Sequence, residues 1–374
     1  MKKLTAIFIF TLLLVLTACT EEGQKKDPNP GAVVPYLDGG WVSVWNDEFD
    51  GDELDQTKWN YELGGNGWGN QELQFYKPQN TTVSDGLLTI TAKKESFQGR
   101  EYTSSRLTTK YKGDWLYGRV QVRAKMPTGR GTWSAIWMMP TESKYGGWPH
   151  SGEIDIMEHV GYENNRIHTN THTTKYNHNL GTNIGYSKTV PNVSDEFHIY
   201  EMIWEPGSIR IYVDGEPVGL GVFAYNPLSN QDVEYWKAFP FDQYFFLILN
   251  VAVGGTWGGS QGVVDSIFPT SMQVDYVRVY QKDYLYYDGF EPTKVGTIAK
   301  TTQLANSIWW PKAEDDHGVE YYEVYVNGEF YKKTNLNQIM LTTLSAGTYE
   351  ITVRAVDFVG KTGEFSEPFT FTKT

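Results

Sequence analysis

The stretch "GEIDIMEHVG", residues 152–161, places Glu153, Asp155 and Glu158 within six positions of an otherwise apolar run. Carboxylates in such a run are costly unless they are paired or used. On a strand, residues two apart share a face, so Glu153 and Asp155 point together while Glu158 points away. One extra residue between Asp155 and Glu158 reverses this. A β-bulge at Ile156–Met157 would bring all three acids to one surface and leave Ile154 facing the core. Two glutamates so placed can hold their carboxyl groups about 5–5.5 Å apart, the separation of retaining glycoside hydrolysis. There one carboxylate attacks the anomeric carbon. The other, protonated, delivers a proton to the leaving oxygen and later activates water. Their pKa values must be held apart. Asp155 suits a neighbour that shares a proton and keeps one of the glutamates in the state it needs.

Such a constellation needs a rigid sheet under it. From residue 40 to 283 the chain runs in short alternating segments broken by Gly, Asn and Asp, among them "LLTITAKK", "YGRVQVRAKM", "IRIYVDGEPV", "YFFLILNVAVGG" and "MQVDYVRVYQ". These are strand and turn signals without a βαβ rhythm, and they predict an all-β, antiparallel sandwich. After about residue 290 a smaller unit, 291–374, reads as some seven further short strands. The formal charge of -13 argues against a nucleic-acid partner, which would need a basic face, and weighs against a polyanionic substrate. Its plain reading is solubility. Aromatic residues make up 15%, which suits a glycan cleft and a β-sandwich core equally.

The residues from 40 to 283 resemble glycoside hydrolase family 16 along most of their length. "EIDIMEHVG" is similar to that family's catalytic strand in its bulged form. "NDEFDGDELDQTKWNYELGGNGWGNQELQFY", "YTSSRLTTK", "YGRVQVRAKMPTGRGTWSAIWMMP", "WEPGSIRIYVDG" and "FFLILNVAVGGTW" follow the family's order. The resemblance implies a concanavalin-like β-jelly roll with an open cleft. It implies Glu153 as nucleophile, Asp155 as assisting acid and Glu158 as general acid/base. Asn70 and Arg106 match polar groups on the donor side of the cleft. Trp133 and Trp137 match aromatics near the scissile sugar, and His172 a histidine close to the acid/base. Trp148 and Trp257 sit in Gly-rich loops as candidate sugar platforms. No cofactor is implied for catalysis. Glu48, Gly86 and Asp275 match the places that hold a structural calcium ion in this family. The bulged motif with "GWGNQELQFY" and "GGTW" most resembles the laminarinase branch, so β-1,3-glucan or mixed-linkage β-1,3-1,4-glucan is the expected substrate. The Asn- and Lys-bearing segment 172–190 departs from a plain laminarinase and keeps an endo-β-galactosidase as the alternative. A catalytically dead glycan-binding protein is the minor one, since both glutamates are present. A transglycosylase shares the same covalent intermediate.

The ends of the chain carry other signals. "MKKLTAIFIFTLLLVLTA", residues 1–18, has a basic start and an apolar run of signal-peptide length. It closes on "LTAC", which resembles a bacterial lipobox and makes Cys19, the only cysteine, the expected lipidated residue. Residues 19–39 read as a polar tether. A lipid-anchored protein of a bacterial membrane follows, with the outer membrane and cell surface as the expected place and a monomer as the expected state. In the unit 291–374, Trp310, Tyr322, "VNG", Leu344, Tyr349 and "VRAVD" resemble a fibronectin type III domain. That implies a fold, with a spacer or accessory role.

Overall fold

The computed structural model describes residues 36–37, 40–220, 222–226, 228–230, 232–282, 291–301, 306–315, 319–357 and 360–373. The signal segment and Cys19 lie outside the described residues. Alternation decides the strands. Gly118–Lys125 buries every second side chain, and Ser208–Val213 does the same. Their apolar residues Val120, Val122, Ile209, Ile211 and Val213 enter one core shared by two large sheets. One sheet has twelve strands and the other eight among the described residues. This is the predicted all-β sandwich of jelly-roll type.

The eight-stranded sheet carries the chemistry. Its order is Ile184–Thr189, Arg166–His172, Glu153–Val160, Thr132–Pro140, Phe245–Val253, Arg106–Thr108 and Asn60–Tyr61, every neighbour antiparallel. Phe245–Val253 is buried at all of its positions. Phe245, Leu247, Leu249, Val251 and Val253 pack into the core, while Ile248, Asn250 and Ala252 point to the opposite face. Burial on both faces is why "FFLILNVAV" reads as an unbroken apolar run, and the polar Asn250 within it marks the face that is not core. Thr132–Pro140 divides likewise. Ile136 and Met138 enter the core, and Trp133, Ala135 and Trp137 face away.

Residues 299–373 build a second pair of small sheets around their own core. Trp310 is fully buried there, edge-on to Tyr322 at 5.4 Å. The Tyr349 hydroxyl donates to the carbonyl of Ser345 at 3.0 Å, and the Ala313 N–H donates to the Tyr322 hydroxyl at 3.2 Å. These aromatics pack and tie the backbone.

Candidate active site

The bulge is present where the acid spacing predicts it. Asp155 pairs with Asn170 and Glu158 with His168, so three steps on the acidic strand oppose two on its neighbour. The same irregularity appears on the other side, where Met157 pairs with Ile136 and Asp155 with Trp137. Ile154, Ile156 and Met157 are fully buried in the core. The extra residue turns Glu158 onto the face that Glu153 and Asp155 already occupy. Strand register then lays a row across the sheet, Arg106, Asn250, Ala135, Glu158, His168 and Ser187. Ala135 leaves room beside Glu158 where a larger side chain would fill the floor.

Above this row runs a cleft. One part, with a volume of about 610 Å³, is lined by Asn70, Trp133, Glu153, Glu158, His178 and Trp257 among others. A narrower part continues over Trp68, Glu72, Arg106, Trp137, Asp155 and Asn250. Asn70, Trp133, Glu153 and Glu158 border both parts, so the acids lie at the middle of the cleft.

Each expected residue can now be placed. The Trp133 indole donates to Glu158 Oε1 at 3.1 Å. Trp257 stands edge-on to Trp133 at 5.6 Å and completes an aromatic corner over the acid/base. Trp137 donates to Asn250 Oδ1 at 2.7 Å, so it is held on the cleft floor. Arg106 is sandwiched between Trp68 and Trp137 at 4.6 and 4.7 Å, and its guanidinium donates to Glu62. Asn70 lines the cleft and its carbonyl accepts from the Thr256 N–H at 2.8 Å. Trp148 lies 5.9 Å from His172 and 5.0 Å from His178, at the rim of the cleft.

His172 lies among the three acids, in the same cleft as Glu158. It pairs in register with Glu153, and its Nε2 lies 3.4 Å from Asp155 and 4.0 Å from Glu153. The bulge shifts the register by one, so the histidine opposite Glu158 is His168. His168 is held by Glu163 at 2.8 Å and meets the Trp257 ring at 4.9 Å. Sequence reasoning missed His168, Trp68, Glu72 and Asn250. Alternation on "RIHTNTH" was the available signal for His168, since it shares a face with Asn170 and His172.

The residues expected at a calcium site, Glu48 and Asp275, each lie beside an arginine. Glu48 accepts two bonds from the Arg278 guanidinium, at 3.0 and 2.8 Å, and Arg278 is only 2% exposed. Asp275 accepts from Arg123 at 2.5 Å. Both carboxylates face a guanidinium, which competes with a cation for their oxygens. Glu48→Ala should therefore cost about 3 kcal/mol by removing the carboxylate from a buried arginine, while a chelator leaves the melting temperature unchanged. A chelator-induced fall, restored by calcium, would show that an ion adds to the stability of the fold.

Burial and mutual repulsion set the acid–base properties. Burial, then Asp155, push Glu153 up to about 8 against the pull of His172 and Trp148. Burial raises Asp155. Glu158 is raised by burial and by the charges of both Asp155 and Glu153, which favours its protonated form. The buried Asp155 Oδ2 makes no protein hydrogen bond of good geometry. A raised carboxyl pKa has a stability signature. The folded state keeps a proton that the unfolded chain releases, so the contribution of Glu153 is present below about pH 4.5 and is lost as pH rises toward about 8. The Glu153→Gln variant should thus gain melting temperature relative to the parent across that window, by at most about 1.4 kcal/mol per pH unit. A difference independent of pH would show that Glu153 titrates normally.

Comparison with known proteins adds to this geometry. The model for Glycosyl hydrolases family 16 matches residues 69–278. A beta-glucanase from Rhodothermus marinus is 47% identical over 276 residues, covering 72% of this chain and 93% of that protein. The X-ray structure of the laminarinase from Rhodothermus marinus superposes with a TM-score of 0.62 at 51% identity, over 64% of this chain and 97% of that one. A keratan-sulfate endo-1,4-beta-galactosidase from Sphingobacterium multivorum is 37% identical over 251 residues, covering 66% of this chain and 57% of that protein.

Proposed function

The chain belongs to glycosyl hydrolase family 16, and from that premise we propose that it is a retaining endo-glucanase that cuts internal β-1,3 bonds of a β-glucan and accepts mixed-linkage β-1,3-1,4-glucan. The observation that carries this reading is the bulged strand, which sets Glu153, Asp155 and Glu158 on one face at the middle of an open cleft. Glu153 attacks the anomeric carbon and forms the glycosyl-enzyme. Glu158, kept protonated by burial and by the neighbouring acids, protonates the leaving oxygen and then takes a proton from the incoming water. Asp155, between the two and beside His172, adjusts which glutamate carries charge as the reaction proceeds. An open cleft with room on both sides of the acids suits internal cleavage of a polymer.

The segment 172–190 bears on the sugar. Its Asn177 side chain accepts from the Leu180 N–H at 3.2 Å and donates to the Thr173 carbonyl at 3.0 Å, so the loop is compact. Lys175 turns to the Ser229 carbonyl and Asp232 at 2.7 and 2.8 Å, and Lys188 to the Pro217 carbonyl at 3.2 Å. Neither lysine lines the cleft, whose wall here is His178, Asn170, Asn183, Tyr186 and Arg166. Neutral amide and aromatic groups with a single arginine favour a neutral glucan over a sulfated galactan. Incubating the mature protein in parallel with laminarin, barley mixed-linkage glucan, agarose and a mucin-type O-glycan tests the reading. Oligosaccharides from the two glucans are expected. Products from agarose or mucin alone would replace it with the endo-β-galactosidase reading, which the galactosidase relative keeps in view.

The lipobox-like "LTAC" supports lipidation of Cys19 and anchoring to a bacterial membrane, with the outer membrane and cell surface as the proposed place. The core around Trp310 and the Tyr349 tie support a fibronectin type III-like accessory unit. The working form proposed is a monomer.

A further inference from the structure

A groove of about 520 Å³ lies between the catalytic sandwich and the sheets of residues 299–373. Tyr145, Tyr225 and Trp236 form its catalytic wall. Phe330 and Lys332, on the edge strand Glu329–Thr334, and Gln338, on the edge strand Gln338–Met340, form the other. The Tyr145 and Trp236 rings stack with centroids 5.1 Å apart and planes 7° apart. The Tyr145 hydroxyl bonds to Asp242 at 2.7 Å, which fixes the pair without any ligand. Phe330 is 53% exposed at the groove. Tyr145 and Trp236 each cover one face of the other, with Lys144 and Lys237 at 5.0 and 5.4 Å from their rings, so the groove offers the exposed Phe330 ring and aromatic edges among amide, carboxylate and ammonium groups, which suit the C–H faces and hydroxyl rim of a pyranose chain.

One turn and one hydrogen bond connect residues of the groove to residues beside the cleft. Tyr145 and Trp148 belong to one braced turn, in which the Tyr145 N–H donates to Ser151 Oγ at 2.9 Å and that hydroxyl donates to the Gly146 carbonyl at 2.7 Å. Two residues lie between the two aromatics, so three Cα–Cα steps keep their backbones at most about 11 Å apart. Tyr145 lines the groove, and Trp148 stands at the cleft rim beside His178. A second tie runs parallel. The Tyr176 hydroxyl donates to Asn230 Oδ1 at 2.7 Å, and Asn230 lines the groove.

We propose that this groove is a second binding site for a neutral β-glucan chain, one that holds the polymer beyond the catalytic cleft. The inference rests on the glucanase reading. It is tested with the full mature protein, Phe330→Ser, and the double variant Phe330→Ser/Gln338→Ala, none of which touches the cleft. On long laminarin kcat/KM should fall roughly 5–20-fold, through KM. On laminaritetraose it should be unchanged. Equal kinetics on the polymer, or an equal fall on both substrates, would overturn the second site. Size-exclusion chromatography showing a dimer that the double variant loses would assign the groove to a second copy of the chain and overturn it too. A parent protein that cleaves neither substrate would instead refute the glucanase reading, before any variant is made.

Discussion

Glu153→Ala is expected to lower turnover of laminarin by more than about 10⁴-fold, because no other group can form the glycosyl-enzyme. The space vacated by the side chain admits a small anion. Azide should then restore cleavage of a glucoside with a good leaving group and yield the α-glycosyl azide, since a single displacement inverts the anomeric carbon. Folding should survive. Glu153 is one of three crowded acids whose burial raises its pKa to about 8, so removing it relieves repulsion and does not leave a cation exposed. An unchanged rate, or rescue that gives the β-azide, would mean that another residue attacks.

Glu158→Ala is expected to behave differently. Natural glucans need protonation of the leaving oxygen, and their turnover should fall roughly 10²–10⁴-fold. An aryl glucoside with a nitrophenolate leaving group needs little help from an acid. It should still form the glycosyl-enzyme, giving a burst of nitrophenolate and then slow release, because the base that activates water is missing. Azide should accelerate that second step and give the β-glycosyl azide. Opposite azide stereochemistry in the two variants separates the nucleophile from the acid/base without any appeal to their positions in the chain. Equal loss on the polysaccharide and the aryl glucoside would contradict the assignment of Glu158. The Trp133 indole, donating to Glu158 at 3.1 Å, favours the ionised form and so assists the base half of the cycle.

The acids were legible in the sequence because their spacing is incompatible with a regular buried strand. Spacings of two and three leave one carboxyl in the core unless the strand bulges, and the strand bulges between Asp155 and Glu158. Trp257 was legible as an aromatic in a Gly-rich loop, and Trp133 through the resemblance of "GTWSAIW" to the family. Asn250 was hidden inside "FFLILNVAVGG", where only the two-sided burial of the strand reveals that it faces the cleft. His168 rather than His172 pairs with Glu158 because register across the sheet is set by the bulge, which a residue count cannot carry over to the neighbouring strand. Glu48 and Asp275 could be matched to a calcium site by position alone. Their arginine partners, Arg278 and Arg123, come from other parts of the chain, and long-range ion pairs leave no local pattern. The groove between the two β-units depends wholly on how the loop around Tyr145 meets the edge strand around Phe330, which neither segment predicts by itself.

Peptide mass spectrometry of the enzyme incubated with an activated 2-deoxy-2-fluoro β-1,3-glucooligosaccharide decides the assignment of roles. The fluorine slows both steps, and the good leaving group lets only the first proceed, so the glycosyl-enzyme accumulates. The expected result is one added fluoroglycosyl mass on the peptide that contains residues 152–161, located at Glu153 by fragmentation. A label on Glu158 or Asp155, or full turnover to an inverted product with no label, would contradict a retaining mechanism with Glu153 as the nucleophile.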